Sequence, residues 1–139
     1  FFRFTAWYGD TALGIDGDGT IDRGGIAFCC HDYHTGPLEP VAYDLAWCVE
    51  FVEHVDEEFI GNFMATFAEA RYVVMSHATP GVDGHHHVNC QEKEYWMQEF
   101  AQRGFVFEPD LTVGLRKAST MDRDFLRETG LVFRNLARD

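Results

Sequence analysis

Positive charge is scarce in this 139-residue chain: 11 Lys and Arg stand against 23 Asp and Glu, a net charge of −12. That balance repels phosphate backbones and anionic lipid, so neither a nucleic acid nor a membrane is expected as a partner. No apolar run approaches the roughly eighteen residues that cross a bilayer. No basic segment followed by an apolar one opens the chain, so a secretion signal is not expected. The four cysteines, Cys29, Cys30, Cys48 and Cys90, form no CxxC pair and no zinc spacing. They are expected to be reduced, mostly buried thiols of a cytoplasmic protein. Repeats, low-complexity tracts and internal linkers are missing too, which leaves one domain over 1–139.

What the chain does have is 46% hydrophobic and 15% aromatic residues, enough for a real core. Phe1, Phe4 and Tyr8 repeat at helical spacing until Gly9-Asp10, which predicts a short opening helix. Strands are expected at Thr11–Ile15, Ile26–Cys30 and Tyr43–Val49, the last almost continuously apolar after Asp44 as in a buried parallel strand. Asp56 is positioned to cap a helix whose Phe59, Ile60, Phe63, Met64 and Phe67 share one face. A strand over 71–76 follows. Asn89 is placed to cap a helix carrying Trp96, Met97 and Phe100, with Gly104 as its stop and Phe105–Phe107 as the next strand. Thr120 is placed to cap a last short helix before a final strand at Leu131–Phe133. Strands separated by single helices imply an α/β sheet with helices on both faces.

Ligands of open parallel sheets bind beyond the carboxyl ends of the strands. The polar groups at those ends are therefore the candidates: Asp16, Asp32-Tyr33, Glu50 with Glu53-His54, and His77. A carboxylate offers two acceptor oxygens, which suits the paired hydroxyls of a ribose. An Asp beside an aromatic ring suits an adenine, the carboxylate accepting from the exocyclic amine.

GIDGD, CCHDY and YDLAWCVEFVEHV, in that order and spacing, resemble the second, third and fourth strand motifs of class I S-adenosylmethionine-dependent methyltransferases. The units ARYVVMSH, QRGFVFEP and ETGLVFRN continue the likeness over essentially the whole chain, and HATPGVDGHHHVN is similar to a segment of a bacterial and phage group of unspecified substrate. The resemblance implies a Rossmann-like, mainly parallel sheet whose last strand is antiparallel, and S-adenosylmethionine as the cofactor. It places Asp16 at the ribose, Asp32 and Tyr33 at the adenine, and Cys48, Val49 and Glu50 near the sulfonium. His77, His86 and His87 become the candidate bases toward a small-molecule or sugar-like acceptor. The family's first strand, which lies between the strands ending at Asp16 and Val49, and its glycine-rich loop are expected to be missing ahead of Phe1. The chain then amounts to the C-terminal three-quarters of such a domain. A non-catalytic methyltransferase-like module for binding or assembly is the alternative.

Two metal motifs fail at this level. Aligning DGDGTID with a calcium-binding EF-hand loop leaves Gly14 and Gly25 at the two end ligand positions. The adjacent His85, His86 and His87 diverge from one another, with no compact partner set nearby, so no metal is expected.

Overall fold

The computed structural model describes residues 3–8, 11–16 and 27–138, with side chains described at 13–15 and 29–138. The strands are β1 (Arg3–Tyr8), β2 (Thr11–Asp16), β3 (Ala27–Cys30), β4 (Tyr43–Val49), β5 (Ala70–Met75), β6 (Phe105–Phe107) and β7 (Leu131–Asn135). The helices are α1 (Ile60–Phe67), α2 (Lys93–Ala101), α3 (Pro109–Ala118) and α4 (Phe125–Thr129). The seven strands among the described residues form one sheet in the order β3-β2-β1-β4-β5-β7-β6.

That sheet overturns the expected mainly parallel arrangement. Only β2 with β3 and β4 with β5 are parallel, while β1–β2, β1–β4, β5–β7 and β6–β7 are antiparallel. The expected gap at the first strand is overturned too, because Arg3–Tyr8 fills the place between β2 and β4. Chain length explains the direction of β1. Two residues, Gly9 and Asp10, separate it from β2, whereas a parallel crossover takes a dozen or more. The opening segment is therefore a strand and not the helix its Phe1, Phe4 and Tyr8 spacing suggested. A short aromatic run fits both periods, and hydrogen bonding to two neighbouring strands favours the extended form.

The pleat sorts the sheet's side chains onto two faces. On one, Ala46 and Cys48 of β4, Val73 and Met75 of β5, and Leu131 and Phe133 of β7 pack with Phe63, Met64 and Phe67 of α1 and Trp96 and Phe100 of α2. On the other, Val74 and Val132 meet Leu126 of α4, with Leu45, Trp47, Tyr72 and Leu115 around them. Each large apolar side chain fully buried in this way contributes about 1.5–3 kcal/mol.

Polar ties hold the helices to the sheet. The Val132 N–H donates to Thr112 Oγ1 of α3 at 3.0 Å, and Arg116 Nε donates to the Gly130 carbonyl at 2.9 Å. The last residue of β7, Asn135, donates from its side chain to the carbonyls of Ala68 and Ala70 at 2.8 and 3.0 Å.

Several helix starts differ from expectation. Glu92, not Asn89, precedes α2, and Asn89 is buried, its side chain donating to the Val52 carbonyl at 3.5 Å. Asp124, not Thr120, precedes α4. Asp56 stands before a 3-10 turn at Glu57–Phe59 that leads into α1, and its carboxylate bonds His34 rather than a helix N–H. Of the four cysteines only Cys48 is buried, and none is joined in a disulfide.

Candidate functional site

Because β1 is antiparallel to both β2 and β4, the two parallel pairs run the same way. The carboxyl ends of β2, β3, β4 and β5 therefore lie along one side of the sheet. Asp16 ends β2, Asp32 and Tyr33 follow β3, Glu50 follows β4, and Ser76 and His77 follow β5. The side chain of Asp16 and the DGDGTID loop beyond it lie outside the described residues.

The chain leaves β4 abruptly. Cys48, the last buried residue of the strand, is fully enclosed, Val49 is half-buried, and Glu50 takes a left-handed φ of +53°. Its N–H donates to Ser76 Oγ at 3.0 Å, and the Ser76 N–H donates to the Cys48 carbonyl at 3.0 Å, which joins the ends of β4 and β5. Val52–His54 then forms a buried 3-10 turn.

The loop after β5 folds back onto that turn. Both the Val88 and Asn89 N–H groups donate to the Glu53 carbonyl, at 2.9 and 3.0 Å. The His86 carbonyl accepts from His54 Nδ1 at 3.0 Å, and the Val82 carbonyl accepts from His87 Nδ1 at 3.2 Å. His86 has a φ of +57°, and this turn separates its exposed ring from that of His87. The His54 and His87 rings stand 5.0 Å apart, edge to face.

A cleft of about 620 Å³ opens here, bordered by Glu50, His54, His77, His87, Arg123 and Glu128 among others. It is within the size range of small-molecule sites. His77 is buried, its Nδ1 has no hydrogen-bond partner among the described residues, and burial lowers its pKa. Burial likewise lowers the pKa of His54, to about 4. Both rings are therefore neutral at pH 7 and able to accept a proton or a cation. The candidate bases thus separate: His77 and His87 border the cleft, whereas His86 contributes its backbone.

The residues proposed for adenine have other attachments. Tyr33 is 4% exposed, donates to Thr66 Oγ1 at 3.0 Å and lies edge-on to Phe51 and Phe63, so its ring belongs to the core. Asp32 is exposed and accepts from the His34 N–H and Nδ1 at 2.9 and 2.8 Å.

Glu53 is a candidate in the sequence only as one of the polar groups beyond β4. Its side chain is 0% exposed and neither carboxylate oxygen has a hydrogen-bond partner among the described residues. Burial first, and the adjacent Glu50 carboxylate second, push its pKa up to about 8. Spacing in the sequence gave no sign that His87, 33 positions onward, returns to it.

Comparison with known families, curated proteins and solved structures finds no match to the chain. Among the described residues no helix is long and apolar enough to cross a membrane.

Proposed function

We propose that the chain is a methyltransferase that uses S-adenosylmethionine and acts on a small-molecule or sugar-like acceptor. The observation that carries this is the alignment of polar strand ends. Asp16 ends β2, Asp32 and Glu50 follow β3 and β4 on the same side of the sheet, and the cleft of about 620 Å³ adjoins Glu50. Acidic residues at those strand ends suit the hydroxyls and amines of a nucleoside and the positive charge of a sulfonium. The adjoining cleft has room for the acceptor.

In-line displacement of a sulfonium methyl asks mainly for positioning and exclusion of water. An oxygen or neutral amine acceptor also needs to lose a proton. His77, kept neutral by burial, and His87 are the cleft imidazoles that would take it. The mixed sheet lends this function no support.

Burial of Tyr33 favours the second possibility, a non-catalytic module for binding or assembly, because that ring is committed to the core. Calorimetric titration with S-adenosylhomocysteine decides between them. Saturable binding in the micromolar range, weakened by Asp16→Ala, is expected of the enzyme. No heat of binding at about millimolar ligand would remove the methyltransferase proposal.

A further inference from the structure

We propose that Glu53, His54 and His87 bind a divalent first-row transition-metal ion at the base of the cleft. One donor atom from each of the three lies within 4.8 Å of the others. Donors about 2.0–2.2 Å from a shared ion stand up to about 4 Å apart, so side-chain adjustments of about 1 Å close the set.

The buried carboxylate is the independent sign of a ligand. Glu53 is completely enclosed, both oxygens lack a hydrogen-bond partner among the described residues, and one of them lies within 4.8 Å of a ring nitrogen of His54 and of His87. A buried carboxylate is costly unless it is protonated, paired with a cation or bound to a metal. No Lys or Arg is ion-paired with it among the described residues, and a cation between it and the histidines would satisfy it.

Both rings are held as metal-binding histidines usually are, with one nitrogen bonded to a backbone carbonyl. The carbonyls of His86 and Val82 take the Nδ1 protons of His54 and His87, which makes Nε2 the lone-pair nitrogen on each ring. The doubled hydrogen bond from Val88 and Asn89 to the Glu53 carbonyl fixes the loop carrying His87 against the turn carrying the other two. Adjacent histidines diverge, but the left-handed turn at His86 lets one ring of the run join a site whose other ligands lie in a different segment.

Two imidazoles and one carboxylate suit zinc, iron, manganese or cobalt better than calcium or magnesium, which prefer all-oxygen sites. Three protein ligands leave coordination positions open toward the cleft. There the ion would bind an oxygen or nitrogen donor and make it more acidic. The site stands or falls independently of methyl transfer, since its test involves no S-adenosylmethionine.

The experiment is titration of the metal-stripped chain with Co²⁺, followed by visible absorption, and with Zn²⁺, followed by calorimetry. One ion per chain is expected, with visible bands of a nitrogen- and oxygen-ligated Co²⁺. Glu53→Gln preserves the buried shape without an ionisable carboxyl, and His87→Ala alters a half-buried loop residue. Each should weaken binding at least tenfold while the circular dichroism spectrum stays that of wild type. His85→Ala, one residue from His86 in the same run, should bind as wild type does. Absence of saturable binding, or wild-type affinity in either Glu53→Gln or His87→Ala, overturns the proposal.

Discussion

Phe100 of α2 stacks on Phe133 of β7 with ring centroids 3.9 Å apart and planes within 6°. Both rings are 0% exposed, and Phe67 and Phe105 contact the Phe100 ring from other directions. Phe133→Ala should therefore cost about 3–5 kcal/mol, read as a lower midpoint in urea, while Phe133→Leu should cost less. A loss below about 1 kcal/mol for the alanine variant would show that the stack carries little stability.

Asn135 makes a different kind of tie. Asn135→Ala would leave the Ala68 and Ala70 carbonyls without their side-chain donor. A buried carbonyl left unsatisfied costs about 1–3 kcal/mol, and Ala70 is the fully buried one. Asn135→Asp should be worse, because a carboxylate would face two carbonyl acceptors. Equal melting temperatures for wild type and Asn135→Asp would contradict this arrangement.

His34 gives the fold a mild pH dependence. Its Nδ1 meets Asp32 at 2.8 Å and its Nε2 meets Asp56 at 3.0 Å. Hydrogen bonds to Asp32 and then Asp56 raise the His34 pKa above its usual 6.5, and bonding from the His34 backbone and ring lowers that of Asp32 below 3.8. The histidine contribution is complete below its unfolded value and is lost as pH rises through the raised one. The aspartate contribution is complete above its unfolded value and is lost as pH falls through the lowered one. The two coincide between about pH 4 and 6.5, and solvent exposure keeps them small. His34→Ala should therefore lower the melting temperature at pH 5.5 more than at pH 9. The reverse order would exclude this bridge as the source.

Asp16→Ala tests the cofactor reading at its far end. If Asp16 accepts from two ribose hydroxyls, losing charge-assisted bonds should weaken S-adenosylhomocysteine binding by roughly 1.5–3 kcal/mol. Calorimetry giving the wild-type affinity would take Asp16 out of the site.

The strands from residue 43 onward were legible because their residues leave little choice. Tyr43–Val49 is apolar nearly throughout, and Gly104, with a φ of +82°, stops the chain before Phe105–Phe107. The opening segment was not legible, because its aromatic spacing fits a helix and only its neighbours in the sheet distinguish a strand. Helix α3 was missed. Pro109 is a fair start, but Thr112, Val113 and Gly114 are weak helix formers, and Leu111 and Val113 are exposed rather than on a buried stripe. At the site, polar strand ends could be found from the sequence alone. The meeting of Glu53 and His54 with His87 could not, since it depends on a loop returning so that its Val88 and Asn89 N–H groups donate to the Glu53 carbonyl.

Among the described residues the two shortest strands are outermost in the sheet, four residues in β3 and three in β6. A strand with an open flank is a template on which another chain can add itself, and very short ones offer that intruder few hydrogen bonds. The long, apolar β4 and β5, which would seed aggregation most readily, are flanked on both sides. Displacement of β1 or β7 would turn β4 or β5 into such an edge.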